Sequence, residues 1–222
     1  MAISWCFRGV FVADLRRFRG NSEGISSRFT SAPESEVSGL PASQSGGLPA
    51  SQLTELVAEG PSTGGQLVLA RLLETTRVAR QRLALIDAAD GFAPEAVPPD
   101  TLKHLVWVRC RALADALTVA DVLVRDGNYA VVVLDLRGVA DRALKKQSAT
   151  AWHRLHRVVE NEAPAVLVLT PCPLVPSVPW RLVLRTPHGL ASRRLTQEKL
   201  LAQLTVEIAR GHSTQAVAER AG

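Results

Sequence analysis

The sequence has few of the residues that would give it simple chemistry. Its three cysteines, Cys6, Cys110 and Cys172, are odd in number and far apart, which excludes a disulfide framework and a C-x-x-C metal site. A reducing compartment, the cytoplasm, is the expected setting. Aromatic residues make up 5% of the chain, so a core built on rings is excluded and the burden falls on Leu, Val and Ala within the 46% that is hydrophobic. No apolar run reaches the ~18 to 20 residues of a membrane helix. The first 20 residues carry arginines and few acids, but Asp14 and the lack of a small-residue cleavage site argue against a cleaved targeting segment. Lysine is scarce too, at 4 residues against 22 arginines, within a net charge of +5. That excess permits nucleic-acid contact, yet it is modest for 222 residues, and a GC-rich genome produces the same arginine bias.

What is present is an alternation. Residues 20–50 are rich in Ser, Gly and Pro and hold few large apolar groups, which predicts a mobile linker ahead of a domain starting near Gly46. Strands are then expected at 52–58 ("QLTELVA"), in "RLALIDA", at 104–110 ("HLVWVRC"), at 129–136 ("YAVVVLDL") and at 163–171 ("APAVLVLTP"). Between them come helices at 65–82, with Leu69, Leu72, Leu73 and Val78 on one side, over "ALADALTVADVLVRDG" closed by Gly127, and at 145–162, with Trp152, Leu155 and Val159 on one stripe. Strands separated by helices need crossover connections, so the expected fold class is α/β, a mostly parallel sheet with helices on both faces. Past the proline-rich "CPLVPSVP", the pattern predicts a strand at 180–185, antiparallel at an edge, and a helix over 196–211 with Leu200, Leu201, Leu204 and Ile208 facing one way. The domain organisation follows: a flexible segment 1–45, a core 46–190 and a helical tail 191–222. The tail's apolar stripe suits packing on the sheet or a partner's groove, with Arg193 and Arg194 at the rim.

The glycines of "GPSTGGQLVL" carry the chemical question. A phosphate-binding loop reads G-x-x-x-x-G-K-[ST]. Gly60 and Gly65 keep that spacing, while Gln66 stands at the lysine position and Leu67 at the hydroxyl position. Backbone N–H groups and a helix N-terminus can still face phosphate, but the cation and the magnesium ligand are missing. Gly60, Gly64, Gly65, Gln66 and Asp135, at the end of "VVVLD", are the candidate residues of a degenerate nucleotide site. Other chemistries find less support. His153 and His156 have no carboxylate or cysteine companion in "WHRLHR", no G-x-S-x-G elbow is present, and Trp107 and Trp180 lie in apolar runs that read as core.

In order and spacing, "GGLP" at 46–49, "LTEL" at 53–56, "GPSTGGQLVL" at 60–69, "LIDAADGFAP" at 85–94 and "ALADALTVADVLVRDGNYAVVVLD" at 112–135 resemble the RecA recombinase core over residues 46–186. The resemblance implies that Ala89 replaces the acid that activates water, so three of four catalytic positions are lost and Asp135 survives alone. With Gln66 and Leu67 opposite it, Asp135 reads better as the cap of a buried strand than as a metal ligand. Glu55 also precedes Gly60 by two residues more than RecA's loop would place it. Together with the lost ATPase groups, this resembles the ImuA branch of RecA-like proteins, accessory factors of SOS-induced mutagenic translesion synthesis. It implies no catalytic residue, no metal, no cofactor (ATP bound at most, without hydrolysis) and protein partners: an ImuB-like polymerase homologue, an error-prone polymerase and RecA. Arg137, Arg142, Lys145 and Lys146 are candidates for indirect DNA contact, or else the solvated start of a helix. A nucleotide-binding or weakly active ATPase and a regulator of RecA filaments are the competing expectations.

Overall fold

A computed structural model of the chain describes residues 48–60, 62–185 and 188–210. The expected flexible segment 1–45 and the last residues of the expected tail lie outside these. The chain builds one seven-stranded sheet: β1 (Leu53–Ala58), β2 (Leu83–Asp87), β3 (Leu105–Arg109), β4 (Val131–Asp135), β5 (Ala165–Thr170), β6 (Trp180–Leu184) and β7 (Val206–Arg210). The order across it is β3-β2-β4-β5-β1-β6-β7. Every pairing is parallel except that of β6 with β7.

Period-2 alternation divides the sheet's side chains between two cores. Ala84, Ile86, Val132, Leu134, Val166 and Val168 point to one face, where α2 (Leu113–Asp126) and α4 (Ala149–Glu160) cover them with Leu117, Val124, Trp152 and Leu155. Leu83, Leu85, Val131, Val133, Leu167 and Leu169 point to the other, beneath Leu69, Leu72 and Leu73 of α1 (Gly65–Val78). The central strands are buried on both sides, and for that reason they read as unbroken apolar runs in the sequence.

Several expectations are corrected. Val78, placed on the apolar stripe of α1, is 81% exposed, because nine residues after Leu69 it lies on the opposite side of the helix, while Thr76 in the same turn is buried. The single helix expected over 145–162 is two: α3 (Asp141–Lys146) stops at Gln147, and Ser148 starts α4 by accepting a hydrogen bond from the Ala151 N–H at 3.4 Å. β6 is not an antiparallel edge strand; it runs parallel to β1 and lies inside the sheet. The helix expected over 196–211 is α5 (Gln197–Ala202), after which the chain turns and returns as β7, antiparallel to β6. In "TVEIAR" the β-branched Thr205, Val206 and Ile208 favour an extended chain, and pairing with β6 supplies the hydrogen bonds a continued helix would have made internally.

Candidate functional site

The connections leaving β1, β2, β4 and β5 emerge at one edge of the sheet, where open parallel sheets place their ligands. There they enclose a cleft of about 870 Å³. Its floor is the glycine turn between β1 and α1. Gly60, Ser62 and Gly64 all have left-handed backbone, with φ of 86°, 63° and 96°. The Thr63 hydroxyl ties the turn to the Gly60 carbonyl at 3.1 Å, and the Ser62 carbonyl accepts the His188 N–H at 2.8 Å.

Two contacts make this floor intolerant of side chains. A Cβ on Gly64 would collide with the Leu204 side chain, which arrives from beyond α5, and a Cβ on Gly65 would collide with the Arg137 guanidinium. Leu204 therefore packs against the turn, and Arg137 lies directly over the start of α1. The position of Arg137 is fixed by Asp135: the Arg137 Nε donates to one carboxylate oxygen at 2.9 Å and its Nη2 to the other at 2.5 Å, while its backbone N–H also donates to the same group at 3.1 Å. Such a fork-to-fork pair is short, directional and charge-assisted.

The sequence-derived candidates thus separate. Gly60, Gly64, Gly65, Gln66 and Asp135 all line the cleft. Gln66, however, does not turn its amide to the glycine turn; it donates to the Gly91 carbonyl at 3.2 Å and bridges α1 to the connection after β2. Asp135 is the acceptor for Arg137, in addition to ending a buried strand. Of the four residues grouped as candidates for DNA contact, Arg137 is turned inward into the cleft, whereas Arg142, Lys145 and Lys146 of α3 are exposed and make no ion pair among the described residues. Ala89 borders the cleft and packs against Gly138, where a Cβ would come within 2.6 Å of the alanine methyl. Trp107 is buried and Trp152 more so, while Trp180 is half-buried and donates to Gln52 at 2.9 Å. His153 is exposed, and His156 faces Glu160 at 3.4 Å, the carboxylate companion not found in "WHRLHR".

Two buried acidic residues, one lining the cleft and one beyond it, organise the connections at this edge of the sheet without having been singled out for it. Asp87, 1% exposed, accepts the N–H groups of Ala89, Gly91 and Phe92 at 3.2, 3.0 and 2.9 Å and so folds the connection after β2. Glu55 is wholly buried in β1 and gathers the proline-rich connection after β5: it accepts from the Leu174 N–H at 2.6 Å, the Val175 N–H at 3.0 Å, the Thr170 hydroxyl at 3.2 Å and Arg181 Nε at 2.5 Å. Arg181 completes the arrangement by donating to the Val175 carbonyl at 2.6 Å. A lone carboxylate in an otherwise apolar strand was the available signal, since a buried charge needs partners. Neither cysteine within the described residues is set up as a nucleophile. Burial, then the Asp115 and Asp87 charges, push the Cys110 thiol up to about 11, and burial first also raises that of Cys172.

Strand order, a mostly parallel sheet covered on both faces and a glycine turn entering α1 define an open α/β fold with its cleft at the carboxyl ends of the parallel strands. No protein-family model and no curated relative matches the sequence. Among solved structures the chain is similar to the crystal structure of the RadB recombinase, at 16% identity and a TM-score of 0.49, over 64% of this chain and 78% of that one. No helix among the described residues is long and apolar enough to cross a membrane.

Proposed function

We propose that this chain is a noncatalytic RecA-like adaptor of DNA-damage tolerance in the cytoplasm, of the ImuA type. It acts by binding protein partners: a Y-family-like polymerase homologue, an error-prone polymerase or RecA. The observation that carries the reading is the Arg137–Asp135 pair laid over Gly65. It puts a fixed internal cation against the carboxylate that would otherwise face a metal, in a turn whose lysine and hydroxyl positions are Gln66 and Leu67. Each lost charge-stabilising contact costs a phosphoryl transfer about 3 kcal/mol of barrier, or ~10²-fold to 10³-fold in rate, and three such groups are replaced here. Arg142, Lys145 and Lys146, exposed on α3, are offered to nucleic-acid phosphates as an auxiliary contact.

Two measurements on the pure chain test the reading. With ATP and magnesium, phosphate release is expected to stay at background, and the chain is expected to retain a co-expressed Y-family polymerase homologue on affinity resin. Brisk magnesium-dependent release that disappears in Asp135→Ala would overturn it in favour of a working ATPase.

A further inference from the structure

One wall of the cleft is only lightly attached to the rest of the molecule. Between β6 and β7 the chain leaves the sheet and passes the glycine turn before it returns, so that His188, Leu190, Ser192 and Leu200 line the cleft. The two ends of this excursion are held together at the sheet: Leu184 pairs with Val206, the Arg185 N–H donates to the Thr205 carbonyl at 3.0 Å, and Arg185 Nε donates to Glu207 at 2.7 Å. The stretch between them can therefore leave the turn without unzipping the strands. Little holds it down. Among the described residues at 188–204 none is buried, whereas Leu182, Val183 and Leu184 of the strand before it are 2 to 3% exposed. Its hydrogen bonds are local: the Ser192 N–H donates to the Gly189 carbonyl and the Leu200 N–H to that of Thr196, both at 3.0 Å, and the Gln203 N–H donates to that of Leu200 at 3.2 Å. Among the described residues a single hydrogen bond crosses to the rest of the chain, from the His188 N–H to the Ser62 carbonyl at 2.8 Å. The other fastening is Leu204, half-buried against Gly64.

From this arrangement we infer that residues 188–204 form a strap closed over the glycine turn, which detaches and unfolds as one unit while the sheet stays folded. A segment with few buried apolar contacts opens at a lower free energy than the core it lies on. It opens as a unit because its parts depend on one seat: α5, with 6 residues, is too short to persist as a helix once Leu204 has left Gly64. Closed, the strap seats Leu204 on the turn and forms one wall of the cleft. Open, it leaves Ser62 and Gly64 uncovered, so the strap's equilibrium sets how much of the time the turn is reached from that side. No step involves a ligand, and the inference is independent of the adaptor reading.

The test is native-state hydrogen exchange of the ¹⁵N-labelled full chain, followed by NMR. The amides of His188, Leu200 and Gln203 are expected to share one opening equilibrium, at least about tenfold more open than the amides of β6. Leu204→Ala should raise that opening severalfold, by one common factor at all three amides, and leave exchange in β5 and β6 unchanged. Gly64→Ala, which crowds the same seat from the side of the turn, should raise it as well. The unchanged β5 and β6 amides show in the same spectra that each variant is folded. Strap amides no more open than β6, as open as in an unfolded chain, or open to different extents at the three positions would each overturn the inference. So would either variant leaving the three amides unchanged, or accelerating β5 and β6 together with them.

Discussion

At the residue scale the molecule is organised by two acid–arginine pairs that do different work. Arg181 and Glu55 form a structural lock: a wholly buried carboxylate with four donors fastens the connection after β5 to the centre of the sheet. Removing one partner of a buried pair strands the other, at about 3 to 5 kcal/mol. Arg181→Met is therefore expected to lower unfolding stability in urea by that amount, and Glu55→Leu with Arg181→Met together to lower it by clearly less. Asp100 shows the surface counterpart. Hydrogen bonds from Lys103 and then Arg77 hold its carboxyl near a pKa of about 2 instead of the ordinary 3.8. Because the folded value is depressed, the stabilisation is complete above about 3.8 and is lost as pH falls from there through 2. A carboxyl resonance for Asp100 titrating near 4 in the folded chain would contradict that geometry. Little of this was legible in the sequence. Glu55 was visible as an isolated charge in "LTELV", but Arg181 lies 126 residues away, and nothing local connects them. Arg137 sits two residues after Asp135, and both readings of it in the sequence, a DNA contact or the solvated start of a helix, turned it outward, because nothing local places the glycine turn beneath it.

At the scale of elements, the glycine turn and the segment that follows α5 depend on each other. Gly64 holds a φ of 96° under the Leu204 side chain, so Gly64→Ala combines backbone strain with a collision. A loss of roughly 1 to 3 kcal/mol is expected. In a double-mutant cycle, Leu204→Ala should recover part of it; strictly additive effects would show that the contact does not form. Ser148 offers a milder check, since it caps α4 at a break the helical periodicity hid, and Ser148→Ala is expected to cost about 1 kcal/mol in urea unfolding. The strands of the central sheet and α1 and α2 were legible because doubly buried strands and amphipathic helices each impose a period on the chain. α3, α4 and β7 were misjudged where one period ran across two elements. In "KKQSAT" a capping serine was read through, and in "QEKLLAQLTVEIAR" leucines at helical spacing masked the β-branched alternation beyond them.

At the scale of the whole molecule, the arginine-rich balance gives a prediction about nucleic acid. Exposed and unpaired among the described residues, Arg142, Lys145 and Lys146 are expected to contribute a salt-dependent affinity for single-stranded DNA. Replacing all three with alanine should flatten the log–log salt slope by about 0.7 per lost phosphate contact. A slope that does not change would confine the chain to protein contacts. The fold class and the site's location were written locally: apolar runs separated by helices specify a parallel sheet, and glycines at fixed spacing specify a left-handed turn between β1 and α1, since both properties belong to short stretches of chain. What fills the cleft was decided only in three dimensions. Arg137 over Gly65, Gln66 on Gly91, Leu204 on Gly64 and β7 on β6 join stretches of chain that meet only after the strands have been ordered across the sheet, and no local period encodes that ordering.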